Sequence, residues 1–104
     1  MRIALAAVIS MLAATPAAAD DFHRDYLRIP MAAAGPSGLE AMLIRPSGTK
    51  RYPLALLSHG APRDTTAREG MTPNGLYAQA TEFARRGFAA VVVMRRGYGN
   101  SGGD

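Results

Sequence analysis

The pattern of apolar and polar positions after residue 20 predicts four strands. Residues 25–30 alternate as in a short edge strand that Pro30 ends, and residues 39–45 give a second strand that pairs with it as a hairpin. Residues 54–58 and 88–94 are continuous apolar runs, which are typical of strands buried on both faces of a parallel sheet. Two strands of each kind indicate a mixed sheet.

Between the two apolar runs the sequence predicts a loop and then a helix. Residues 63–75 are polar and contain Gly and Pro, whereas residues 76–86 repeat apolar side chains at helical spacing. This spacing places Tyr77 and Phe83 in the core, and Gly87 is a natural left-handed helix stop. Because a strand, a helix and a strand in this order form a βαβ unit, we expect an α/β fold with parallel third and fourth strands.

The first nineteen residues have the order of parts found in a secretory signal peptide. Arg2 is followed by an apolar run over residues 3–14, and small residues at an A-x-A site end at Ala19. Spanning a membrane needs about 20 apolar residues, and Pro16 interrupts this run earlier. We therefore expect cleavage after Ala19, export to a periplasm or to the medium, and no stable membrane anchor. A membrane anchor or a buried helix is the alternative.

Composition excludes several functional classes. The 104 residues contain no Cys, so no disulfide framework, thiolate metal site or cysteine nucleophile exists. The 12 Lys and Arg residues against 8 Asp and Glu residues form no basic run longer than two and no aromatic platform, which argues against nucleic acid as a partner. No His, Asp and Glu cluster has metal-ligand spacing. One helix cannot cover both faces of a parallel sheet, so residues 20–104 are expected to open a larger, incomplete domain.

The sharpest chemical feature is the run His59, Gly60, Ala61 and Pro62 directly after the first apolar strand. Main-chain N–H groups at the carboxyl edge of a parallel sheet face the crevice in which ligands of such sheets bind. An N–H group there can stabilise a developing oxyanion, and glycine lets a substrate approach the backbone. The simpler interpretation is that His59 is only a polar residue that ends a strand.

Three segments in order, LALLSHGAPRD, a helix ending in ARRGF, and AAVVVMRRGYGNSGG, resemble the N-terminal third of α/β-hydrolases. The nearest resemblance is to the dienelactone hydrolase-like and prolyl-oligopeptidase-like branches. It implies an α/β-hydrolase sheet that opens with an antiparallel strand pair, and an oxyanion hole to which Ala61 donates its main-chain N–H while His59 and Gly60 shape the turn.

The same resemblance implies hydrolysis of a small ester, lactone or peptide substrate through an acyl-enzyme on a serine, with no cofactor. In the family that serine lies in a G-x-S-x-G elbow after the next strand, followed by an acid and a histidine. None of these three has a counterpart up to Asp104, so the chain by itself is expected to be inactive.

The terminal loop literally matches G-x-S-x-G at residues 99–103. An elbow serine sits close to the last buried residue of its strand, whereas Ser101 lies seven positions after Met94 and no histidine follows it. We therefore expect Ser101 to be a loop hydroxyl or a helix cap and not the nucleophile.

The loop also matches the dinucleotide-binding pattern G-x-G-x-x-G through Gly97, Gly99 and Gly102. A dinucleotide-binding βαβ domain is therefore an alternative, although its fingerprint belongs in the first strand-to-helix turn and here a complete strand–helix unit precedes it. A small exported binding protein without enzymatic activity is a second alternative. The sequence after Asp104 separates them, since a strand with a serine elbow indicates a hydrolase and an acidic strand end indicates a dinucleotide site.

Overall fold

A computed structural model describes residues 21–104, which form a four-stranded mixed sheet with one α-helix. The elements are β1 (Phe22–Ile29), β2 (Leu39–Pro46), β3 (Leu54–Ser58), α1 (Tyr77–Arg85) and β4 (Ala89–Val93). The strand order across the sheet is β1-β2-β4-β3. The predicted α/β class is confirmed.

The strand pairing follows the predicted hairpin and βαβ unit. β1 and β2 pair antiparallel along their whole lengths, from Phe22 opposite Pro46 to Ile29 opposite Leu39. β4 lies in the interior of the sheet, antiparallel to β2 and parallel to β3. The parallel pair therefore brings the carboxyl ends of β3 and β4 to one edge of the sheet, beside the start of β2.

The core lies between α1 and one face of the sheet. Met42 and Ile44 of β2 and Ala90 and Val92 of β4 are at most 1% exposed on this face, and they contact the helix through small alanine side chains. Alanine at the contact lets the helix approach the sheet closely, so branched strand side chains fill the space beneath it.

The predicted core positions of Tyr77 and Phe83 are wrong, because these side chains are 44% and 40% exposed. The helix buries its alanine side, Ala80 and Ala84, and the two aromatic side chains flank that contact. Phe83 instead packs edge-on against Phe88, with 5.7 Å between the ring centroids.

The prediction that β3 is buried on both faces is also wrong. Leu54 and Leu56 are 66% and 64% exposed, whereas Ala55 and Leu57 face the core. The reason is position in the sheet, since β3 is an edge strand and α1 covers a single face. β4 has a similar asymmetry, and its odd-numbered residues are only half-buried. In residues 21–104 the second sheet face thus remains an uncovered apolar surface.

The loop before α1 contains two short 3-10 turns, Thr65–Gly70 and Pro73–Leu76. Asp64 begins the first turn, where its carboxylate accepts hydrogen bonds from the hydroxyl and the main-chain N–H of Thr66. These two bonds, the hydroxyl first, hold the pKa of Asp64 below its ordinary value. No helix in residues 21–104 is long and apolar enough to cross a membrane. The expected signal peptide and its cleavage site lie outside the described residues.

Candidate functional site

Residues 59–62, here called the 59–62 segment, follow β3 at the edge where β4 also ends. Ala61 is exposed, and none of the hydrogen bonds among residues 21–104 uses its main-chain N–H. An unpaired amide at the carboxyl edge of a parallel strand pair is available to an external acceptor. The structure therefore leaves free the one donor that the sequence singles out.

Gly60 has room on its side-chain side. A Cβ built at this position meets no atom within 4 Å, and Gly60 is not among the glycines with positive φ. The conformation of the 59–62 segment therefore does not itself require glycine. The remaining physical reason for glycine here is that the open space admits another molecule to the backbone.

His59 connects the 59–62 segment to the end of β4. Its Nε2 lies 3.1 Å from the main-chain N of Arg95, and its Nδ1 lies 2.7 Å from the carbonyl oxygen of Gly60. Because a main-chain N–H only donates, Nε2 is the unprotonated nitrogen, so Nδ1 carries the hydrogen and donates to Gly60. Both ring nitrogens are thus occupied by main-chain groups, and His59 is a structural link and not a free general base.

Tyr98 packs the terminal loop against this link. Its ring is 7% exposed and lies 4.6 Å from the His59 ring, centroid to centroid. The guanidinium groups of Arg95 and Arg68 lie 4.8 Å and 5.2 Å from the centroid of the same ring. One tyrosine therefore joins the loops that follow β3 and β4, with two cations beside it.

Ser101 is a buried loop hydroxyl. Its Oγ donates to the carbonyl oxygen of Met94 at 2.6 Å and accepts from the main-chain N–H of Glu40 at 2.8 Å. The hydroxyl proton is therefore used in a bond to the backbone and not in a bond to a base. This geometry matches the expected loop role and not that of an elbow nucleophile, which has an exposed Oγ.

Glu40 is a site residue that the sequence analysis does not find. Its carboxylate accepts from the main-chain N–H and from the side-chain amide of Asn100, each at 3.2 Å. Its carbonyl also accepts from the main-chain N–H of Met94 at 2.9 Å. An acidic residue within a largely apolar strand is the only signal, and its partner lies 60 positions away in the sequence.

The glycines of the terminal loop contact protein and not open space. A Cβ on Gly99 would lie 2.6 Å from Glu40 Oε1 and from the Met71 carbonyl oxygen, and a Cβ on Gly102 would overlap the Ala34 carbonyl oxygen.

The main-chain N–H groups of this loop are also occupied. Those of Gly97, Gly99 and Gly102 donate to carbonyl groups of the chain, and no helix begins within residues 97–104. Free amides at a helix N-terminus are what a pyrophosphate requires. This loop therefore lacks the geometry on which the dinucleotide alternative depends.

No protein-family model, curated protein or solved structure matches the chain. Within residues 21–104, no group of three or more His, Asp or Glu side chains is arranged to hold a metal ion. The hydrolase hypothesis therefore rests on the chain's own residues and geometry.

Proposed function

We propose that this chain forms the opening part of a serine hydrolase domain of the α/β-hydrolase type, which cleaves an ester, lactone or peptide bond through an acyl-enzyme. Its contribution is one oxyanion-hole donor, the main-chain N–H of Ala61. The observation that carries the proposal is that this N–H is exposed and unpaired at the carboxyl end of β3.

The position of this donor fits the chemistry of acyl transfer. Attack on a carbonyl carbon moves negative charge onto the carbonyl oxygen, and a fixed N–H group stabilises that charge without reorganising. The bond between His59 and Arg95 holds the 59–62 segment against the end of β4, so the donor is attached to the sheet and not to a free loop. Gly60 leaves the approach to the backbone open.

The sheet topology supports the same proposal. An antiparallel hairpin precedes a parallel β3–β4 pair, as expected for the start of such a domain. The apolar sheet face without a helix in residues 21–104 is a surface that the rest of a larger domain would cover.

The catalytic triad is not assigned to the described residues. His59 and Ser101 both spend their polar atoms on the backbone. We propose that the nucleophile, the acid and the base come from elsewhere in the complete natural polypeptide, called here the full-length protein. The chain of 104 residues by itself is then inactive, needs no cofactor, and is exported after cleavage behind Ala19.

Paired glycine variants of the full-length protein test the proposal. Gly60→Val fills the open approach to Ala61, whereas Gly70→Val adds the same side chain at another glycine without positive φ and with no atom near its Cβ. We expect kcat for p-nitrophenyl butyrate to fall about 100- to 1,000-fold in Gly60→Val, the usual cost of losing an oxyanion donor. Gly70→Val should stay close to the unmodified protein. Equal activity of the two folded variants would contradict the proposal.

A further inference from the structure

A cavity of about 460 Å³ lies on the sheet face opposite α1 and reaches the carboxyl end of β3. Its floor is apolar and includes Leu39, Leu56 and Val93, one residue from each of three neighbouring strands. This volume is within the range of roughly 300–1,000 Å³ that is typical of small-molecule sites. The floor therefore fits a compact apolar group.

One end of the cavity is basic. Arg95 and Arg96 line it beside Tyr98, and Arg68 lies behind the same tyrosine ring. In the part of the chain that the structure describes, none of these three arginines forms an ion pair with a carboxylate. The basic end is therefore not neutralised by the protein.

The arginine cluster has an unmet polar requirement. The Nε of Arg68 is buried and has no hydrogen-bond partner. The guanidinium groups of Arg68 and Arg95 also approach one tyrosine ring to within 5.2 Å, so two like charges lie close together. Like charges in a partly desolvated place raise the free energy of the empty site, and an anion would lower it.

Asp104 also lines the cavity but lies beyond ion-pair distance of both Arg95 and Arg96. Its carboxylate opposes the binding of an anion without neutralising the arginines. The sign of its effect is therefore opposite to that of the arginines, which provides an internal control for charge.

We infer that this cavity binds a small organic anion, with its apolar body on the floor of Leu39, Leu56 and Val93 and its carboxylate directed to Arg95 and Arg96. A guanidinium matches a carboxylate in shape and charge, and the strand residues supply the apolar contact. This inference goes beyond the hydrolase proposal, because binding is measured without any turnover.

Calorimetric titration of the full-length protein with hexanoate tests the inference. We expect saturable binding of hexanoate, and affinity at least about tenfold lower for hexanamide, which has a similar shape and no charge. Inorganic phosphate should bind more weakly than hexanoate because it has no apolar body. Equal binding of hexanoate and hexanamide, or of hexanoate and phosphate, would overturn the inference, as would no hexanoate binding at all.

Three variants locate the site. Arg95→Gln keeps the main-chain N–H that His59 accepts, and it should weaken hexanoate binding about tenfold or more. Asp104→Asn removes the opposing carboxylate and should strengthen binding. Arg51→Gln changes an exposed arginine just before the opposite end of β3 and should leave binding unchanged. The same loss in Arg51→Gln as in Arg95→Gln would mean that net charge alone attracts the anion, and would overturn the assigned site.

Discussion

The hydroxyl of Ser101 joins the terminal loop to two strands, since it donates to Met94 at the end of β4 and accepts from the main-chain N–H of Glu40 in β2. Ser101→Ala leaves both main-chain groups without a partner in a buried place. We expect the full-length protein to lose about 1–3 kcal/mol of stability in urea unfolding, the usual cost of such orphaned groups.

Turnover separates this structural role from a catalytic one. Folded Ser101→Ala should keep most of its activity toward p-nitrophenyl butyrate, because the hydroxyl proton is bonded to the backbone. Activity at background in the folded variant would mean that Ser101 is the nucleophile, and the loop role would be wrong.

At the scale of elements, the terminal loop rests on the turn between β1 and β2. The N–H of Gly102 donates to the carbonyl oxygen of Gly38 at 2.9 Å, and a side chain at Gly102 would overlap the Ala34 carbonyl oxygen. We expect Gly102→Ala to destabilise the full-length protein by about 1–3 kcal/mol in urea unfolding, as overpacking typically does. Gly75→Ala is the control, since its Cβ meets no atom within 4 Å. Equal stability of the two variants would show that the loop does not rest on this turn.

The elements themselves are predictable because each is encoded by a local period. Apolar runs and helical spacing locate the strands and α1 to within three residues. The period does not state how wide the partner surface is, so it places Tyr77 and Phe83 in a core that only the alanine side of the helix reaches. An apolar run likewise does not state a position in the sheet, which is why the exposed face of β3 is missed.

The candidate site is predictable in part for the same reason. The 59–62 segment follows from a local motif after a strand. The environment of Glu40 and the cluster of Arg68 and Arg95 around Tyr98 depend on contacts between residues far apart in the sequence, so no local pattern reveals them. The glycine pattern in the terminal loop misleads because packing against a carbonyl and binding a phosphate select the same residue type.

At the scale of the whole molecule, β3 is an exposed apolar edge. The strand Leu54–Ser58 contains no charged residue, whereas β1 at the other edge carries several. Unprotected apolar edges promote association between chains. We expect isolated residues 20–104 to fold poorly or to aggregate.

Lysine substitutions test this expectation. Leu56→Lys in isolated residues 20–104 should lower the sedimenting fraction, because it places a charge on the exposed edge strand. Leu27→Lys, at a 39% exposed leucine of β1, should not. A monodisperse monomer of the unmodified segment with a sharp thermal transition would contradict the expectation.

The central claim is that the main-chain N–H of Ala61 stabilises an oxyanion, and removing that hydrogen tests it most directly. Ala61→Pro deletes the N–H at an exposed position where no hydrogen bond within residues 21–104 is lost, whereas Ala61→Gly keeps it. The measurement is kcat of both variants of the full-length protein with p-nitrophenyl butyrate, after circular dichroism shows that each is folded. We predict a fall of about 100- to 1,000-fold for Ala61→Pro and a small change for Ala61→Gly. Unchanged kcat in folded Ala61→Pro would contradict the claim.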